Sequence, residues 1–244
     1  MEKEKFRLKN LQLVCSKSEL AAIPKGKQMI NTINAFSYNN ARKDAAFAKA
    51  LRSCDALVPD GMSIVKACRW IDADCKPKER IAGWDLFTFE MSRLNECGGT
   101  VMFMGSTDAV LTLIKNRAKI EYPNIRVCTY SPPYKEYFSE DDNRRIINSI
   151  NACNPDLLWI GMTAPKQEKW VMAHWSELDI HCHCGTIGAV FDFFAGTTKR
   201  APLFWQRHGL EWLYRFIKEP RRLWRRYILG NVRFLYYMLC ECIL

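Results

Sequence analysis

Residues 99–131 read GTVMFMGSTDAVLTLIKNRAKIEYPNIRVCTYS. The opening GTVMFMG is a short apolar run closed by glycine, which reads as a buried strand. STDAVLTLIKNRAKIEY follows with helical spacing, and Ser106 or Thr107 stands where a helix N-cap belongs. IRVCTYS is a second strand. A strand, a helix and a strand in that order are the building unit of a parallel sheet.

The alternation continues on both sides of this stretch. QMINTINAFSY is a strand entering a turn, and NARKDAAFAKALRSC follows with helical periodicity. DALVPD is a strand, and GMSIVKACRW and GWDLFTFEMSRLNEC are helices. SEDDNRRIINSINAC is a helix, PDLLWIGM a strand, PKQEKWVMAHWSEL a helix and IHCHCGTIGAV a final strand. The fold expected is therefore α/β, a mostly parallel, Rossmann-like sheet with helices on both faces. Residues 1–204 are expected to form this domain, and residues 205–244 a C-terminal helical appendage.

The 244 residues suit one α/β domain or a domain plus an appendage, and 48% hydrophobic residues supply a full core. No stretch of ~18 uncharged apolar residues occurs, so no transmembrane helix is expected. The N-terminal MEKEKFRLKN lacks the apolar core of a signal peptide, which points to the cytoplasm. The 11 cysteines are scattered, form no CxxC pair and read as free thiols. His181–Cys184, HCHC, looks like a metal site, but alternate residues of a strand point to opposite faces. Without a second ligand pair at zinc-site spacing, a strand of small buried thiols is the favoured reading. Asp72–Asp74, DAD, resembles a divalent-ion motif of nucleotide-sugar transferases, yet its polar, lysine-rich surroundings favour a solvated loop.

The formal net charge is +10, and from Trp205 onward the chain is dense in arginine and aromatic residues. A basic surplus suits a polyanionic partner. Pro220 ends one helix and can begin another. Beyond it, Arg222, Arg226 and Arg233 recur at helical spacing, with Leu223, Tyr227 and Leu235 on another side. Such a helix suits an anionic membrane interface. No nucleic-acid signature occurs, so no nucleic-acid partner is expected.

In parallel sheets ligands sit beyond the carboxyl ends of the strands. NTINA, PDG, MGSTD, SPPY, GMTAPKQE and GAVFDFFAG lie there. Gly105 precedes a helix start that suits a phosphate, or an ordinary tight turn. Gly161 closes a strand. Pro165 opens a helix whose first turn holds Gln167, able to orient a sugar or an amide, and Glu168. Gly188 opens the last of these junctions. Asp192, in an aromatic run, could cap the next segment or accept from ribose hydroxyls, and Arg200 could contact a phosphate or pair with Asp192. Asp60 ends a strand on a glycine turn. It could cap the helix beginning near Met62 or serve as a general base.

Taken together, NTINA, VPDGMSIV, ERIAGWDL, GTVMFMG, PDLLWIGMTAPKQEKW, GAVFDFFAGTTKRAP and GLEWLYRFIKEPRRLWRRY resemble the WecG/TagA/CpsF family of bacterial glycosyltransferases. The resemblance implies inverting transfer of a sugar from a UDP-sugar to undecaprenyl-diphosphate-linked GlcNAc, with no cofactor and no metal. It implies a C-terminal appendage that engages the membrane, and peripheral association with the inner face of the plasma membrane. The family's catalytic aspartate matches Asp60. Its strand-end threonine and asparagine match Thr32 and Asn34, its arginine Arg80 and its glutamine Gln167. The appendage arginines correspond to Arg215, Arg222 and Arg225, on the membrane and acceptor side. Asp60 would take the proton of the attacking hydroxyl. Arg80, with Arg200 second, would stabilise the departing UDP. A non-enzymatic membrane- or RNA-binding α/β protein is the alternative, and a metal-dependent transferase using Asp72 and Asp74 a third reading. Donor sugar, polysaccharide pathway and self-association into a homo-oligomer are left open.

Overall fold

The computed structural model describes residues 5–243. Six strands, β1 (Gln28–Ile33), β2 (Ala56–Pro59), β3 (Gly99–Gly105), β4 (Ile125–Tyr130), β5 (Leu157–Gly161) and β6 (His183–Thr186), form one parallel sheet. Their order is β2-β1-β6-β5-β3-β4. β3 pairs β4 from Gly99↔Ile125 to Met104↔Tyr130 and pairs β5 from Val101↔Leu157 to Gly105↔Gly161. Every residue of β5 and β6 is buried, the pattern of strands covered on both faces. The edge strand β4 alternates instead, with Ile125 and Val127 buried and Arg126 and Thr129 exposed.

The helices are α1 (Lys17–Ala21), α2 (Ala35–Ala41), α3 (Ala45–Arg52), α4 (Met62–Trp70), α5 (Gly83–Cys97), α6 (Asp108–Glu121), α7 (Glu140–Cys153), α8 (Lys166–His174), α9 (Val190–Ala195), α10 (Leu203–Arg207), α11 (Glu211–Lys218), α12 (Pro220–Trp224) and α13 (Gly230–Ile243). A π-helical turn, Arg225–Leu229, joins α12 to α13. Thr107 is the N-cap of α6, its side chain accepting from Val110 N at 3.4 Å. The stretch NARKDAAFAKALRSC is not one helix. Asp44 Oδ1 accepts from Ala46 N and Phe47 N, both at 3.0 Å, and starts α3 afresh. The last strand is shorter than IHCHCGTIGAV suggests. It ends at Thr186, and Gly188 at φ +41° turns the chain toward α9.

The chain clusters into two compact units. The first comprises Met1–Ala22, Thr32–Ala82 and Lys199–Leu244. Its core joins Leu8, Leu13, Ile33, Tyr38, Phe47, Leu57 and Ile64 to Phe234 and Met238 of α13. Residues 205–244, set off by composition as an appendage, thus place part of α13 in this core. Glu241, also buried, accepts from Leu8 N at 3.0 Å, Lys9 N at 2.9 Å and the Tyr38 hydroxyl, with Arg42 Nη1 at 3.7 Å. A buried carboxylate is tolerated because these donors and the guanidinium replace water. Burial, and after it that same acid, push the Tyr38 hydroxyl well above its usual range.

The second unit comprises Ile23–Asn31 and Gly83–Thr198. Its centre is aromatic. Phe87 packs on Phe194 at 4.8 Å and on Trp159 at 5.6 Å, and Phe103 meets Phe191 edge-on at 5.3 Å. A side chain at Gly161 would drive into the Phe191 ring, 2.4 Å away. One at Gly105 would meet the Gly161 carbonyl at 2.3 Å. Close packing thus accounts for both glycines.

Candidate active site

β1 and β2 end side by side. Asp60 N donates to Ile33 O at 2.9 Å, which carries the pairing one residue past β2. The Asp60 side chain therefore leaves the sheet at its carboxyl edge, 29% exposed. Gly61, not Asp60, is the N-cap of α4, and no side chain caps that helix. The capping role weighed for Asp60 is absent.

Asn34 and Arg80 hold the carboxylate. Asn34 Nδ2 donates to Asp60 Oδ2 at 3.3 Å. The amide cannot turn over without loss, because Asn34 Oδ1 accepts from Phe36 N at 3.0 Å and Ser37 N at 3.1 Å as the N-cap of α2. Arg80 Nε donates to the Asp60 carbonyl at 2.7 Å, and its Nη2 stands 4.0 Å from Asp60 Oδ1. Thr32, half-buried on β1, lies two residues before Asn34.

Glu211, at the start of α11, completes the arrangement. Its Oε2 accepts from Arg80 Nη2 at 2.9 Å and its Oε1 from Arg200 Nε at 3.3 Å. Both arginines expected to face a leaving phosphate are thus fastened to one acid. Glu211 is absent from the residues that sequence alone marks out. The available signal is that it is an acid in a stretch, GLEWLYRFIKEPRRLWRR, rich in arginine and aromatic residues.

The second unit holds another group. Gln167 and Glu168 are buried in the first turn of α8. Gln167 Oε1 accepts from Met162 N at 3.1 Å, and its Nε2 donates to Glu168 Oε1 at 2.8 Å. Glu168 Oε2 is buried and has no hydrogen-bond partner among the described residues. Burial pushes the Glu168 carboxyl up to about 7, and the Gln167 amide opposes part of that rise. A Cβ on Gly188 would come 3.1 Å from the Met162 carbonyl and 3.5 Å from Gln167 Oε1, so the chain passes close over the Met162 carbonyl there. Asp192 lies half-buried on α9, its carbonyl accepting from Thr197 Oγ1 and Thr198 N at 3.2 Å each.

The arginines of the C-terminal segment differ in setting. Arg215 is half-buried on α11. Arg222 is exposed and pairs with Glu219 at 2.6 Å, and Arg225, also exposed, lies 5.5 Å from the Trp224 ring. Asp72 is exposed and paired with Lys76, and Asp74 is exposed, as a solvated loop requires. Cys182, His183 and Cys184 are buried, and the His183 ring nitrogens meet Glu90 at 3.1 Å and the Pro24 carbonyl at 2.9 Å. Among the described residues no three His, Cys, Asp or Glu side chains are placed to hold a metal ion.

The family model described as "Glycosyl transferase WecG/TagA/CpsF family" matches residues 6–243. The chain is 33% identical over 187 residues to an N-acetylglucosaminyldiphosphoundecaprenol N-acetyl-beta-D-mannosaminyltransferase of Bacillus spizizenii (strain ATCC 23059 / NRRL B-14472 / W23), covering 76% of this chain and 69% of that protein. It is 30% identical over 198 residues to a protein of the same description from Bacillus subtilis (strain 168), covering 81% and 74%.

Proposed function

The chain belongs to the WecG/TagA/CpsF family of glycosyl transferases, and from that premise we propose that it moves a sugar from a UDP-sugar to undecaprenyl-diphosphate-linked GlcNAc or a similar lipid-linked sugar, with inversion. The names of both relatives make N-acetylmannosamine the first donor to try. The observation that carries the reading is Asp60, half-buried at the mouth of β2 and held between the Asn34 amide and the Arg80 guanidinium.

Inversion is a single displacement. The acceptor hydroxyl attacks the anomeric carbon from the face opposite UDP, the bond to UDP breaks, and the hydroxyl loses its proton as the new bond forms. Asp60 accepts that proton. Negative charge grows on the departing diphosphate, and Arg80 and Arg200, oriented beforehand by Glu211, stabilise it without a metal ion. Thr32 and Asn34 orient sugar hydroxyls.

No helix among the described residues is long and apolar enough to cross a membrane. A polyprenyl acceptor stays in the bilayer, so the protein must reach it. Trp224, Ile228, Leu229, Val232, Leu235, Tyr236, Leu239 and Ile243 are all exposed. With the arginines they make the C-terminal segment the surface that meets an anionic inner leaflet.

The test is a panel of UDP-sugars offered to the purified chain with a short-chain prenyl-diphosphate GlcNAc, with and without EDTA. Transfer from one donor at equal rate in both conditions supports the proposal. Loss in EDTA would remove the metal-free step, and absence of transfer from every donor would remove the reading.

A further inference from the structure

The π-helical turn Arg225–Leu229 is a departure from regular helix. Such turns are rare and frequent at functional sites. Here the turn carries Arg226 against the beginning of α2. Its guanidinium carbon lies 4.2 Å from the centre of the Phe36 ring and 5.8 Å from that of Tyr227. Its Nε is shielded from solvent and has no hydrogen-bond partner among the described residues. Among the described residues no carboxylate forms an ion pair with it.

The surroundings sharpen the point. Burial disfavours the charged guanidinium. Tyr227 and Asp60 favour it, and Arg215 and Arg222 oppose it. The two acids of the preceding stretch are engaged elsewhere, Glu219 by Arg222 at 2.6 Å and Glu211 by Arg80 at 2.9 Å and Arg200 at 3.3 Å. A shielded cationic donor with nothing to bind costs free energy, and an anion brought by a ligand recovers it. Phosphate suits best, because the planar guanidinium offers several N–H groups in a fixed fork. Phe36, on which Arg226 lies, donates its N–H to Asn34 Oδ1 at 3.0 Å, and Asn34 Nδ2 donates to Asp60 Oδ2 at 3.3 Å, which places this donor at the Asp60 end of the first unit.

We propose that Arg226 is a diphosphate-binding residue, its Nε–H kept unpaired on the Phe36 ring to receive a phosphoryl oxygen of a substrate. This rests on the transferase reading, in which both substrates carry a diphosphate, one on the nucleotide and one on the lipid. The chemistry is shared, so the experiment separates the sources.

Arg226→Leu keeps an apolar group against Phe36 and removes the donors, and Arg226→Lys keeps the charge and removes the fork. Binding of inorganic pyrophosphate, UMP and UDP is measured by calorimetry for these and the parent full-length chain. The KM for a short-chain prenyl-diphosphate GlcNAc is measured beside them, with thermal unfolding to establish folding. A nucleotide source predicts that UDP and pyrophosphate weaken at least tenfold in both variants while UMP changes less. A lipid source predicts a KM raised at least tenfold with UDP unchanged. Equal losses for UMP and UDP would reveal a collapsed site and overturn the proposal, as would unchanged UDP affinity, pyrophosphate affinity and KM together. If Arg226→Leu does not fold, Arg226→Lys decides by the same criteria. A parent chain that binds pyrophosphate but neither binds UDP nor transfers sugar would remove the transferase reading. Arg226 would then be judged on pyrophosphate alone. A parent chain that binds none of these ligands would remove both.

Discussion

Arg80 and Glu211 meet at 2.9 Å although 131 positions separate them in the chain. The contact fastens α11 beside the end of β2, because the same Arg80 donates to the Asp60 carbonyl at 2.7 Å. It also ties Arg80 to Arg200 through one shared acid. The first unit thus holds the Asp60 carboxylate beside the Arg80 guanidinium and fixes both Arg80 and Arg200 on one acid.

Glu211→Ala should therefore cost stability. It leaves Arg80 and Arg200, with side chains 16% and 18% exposed, without their shared acid. Losing one partner of a largely buried pair costs roughly 3 kcal/mol. Urea unfolding of parent and variant measures it, and a change well under 1 kcal/mol would show that the contact contributes little in solution.

Asp60→Asn should lower turnover by about 10²–10⁴-fold, the range for loss of a general base, with UDP affinity retained. Near-parental turnover would sink the proton-removal role. Asn34→Asp is a sharper companion. An aspartate still caps α2 but cannot donate to Asp60 and sets a second negative charge against it. Turnover should fall while the unfolding midpoint stays close to the parent's.

Glu168 predicts a pH dependence of stability. Its folded-state value, about 7, lies above the usual glutamate value of 4.5. Between these the native chain binds more protons than the unfolded chain, so stability declines as pH rises across that window. The decline attributable to this group is roughly 3 kcal/mol. Glu168→Gln removes it, so the variant should gain on the parent by that order between pH 4.5 and pH 8 in urea unfolding. A difference that does not vary with pH would mean water reaches Glu168.

Leu235 and Leu239 lie on α13, 53% and 51% exposed, one helical turn apart. Fully burying one leucine stabilises by about 1.5–3 kcal/mol, so Leu235→Ser with Leu239→Ser should weaken binding to anionic vesicles at least tenfold. Thermal unfolding should change little, because the helix docks through Phe234, Met238 and Glu241 instead. Deleting residues 220–244 would remove those three core residues as well. The point substitutions isolate membrane contact, and parental vesicle affinity in the double variant would remove α13 from that role.

Much of the architecture was legible because its signals are local. The helix GWDLFTFEMSRLNEC matches α5 residue for residue, and the strand GTVMFMG matches β3. Apolar spacing and glycine boundaries suffice there. The junction between α2 and α3 was misread because alanine-rich spacing continues through Asp44, whose capping is a choice of backbone direction.

What residues 99–131 and their neighbours determined alone is an alternation of buried strands and amphipathic helices, hence a parallel sheet with polar groups at its carboxyl edge. Periodicity and turn chemistry act over a few residues and can be read without the fold. Only the tertiary structure decided that Glu211 holds Arg80 and Arg200, that Glu241 ties α13 to Leu8 and Lys9, and that Arg226 lies on Phe36 with an unused donor. Each of those depends on which distant groups exclude water together, and an ion pair or an orphaned donor exists only once the chain has brought them to one place.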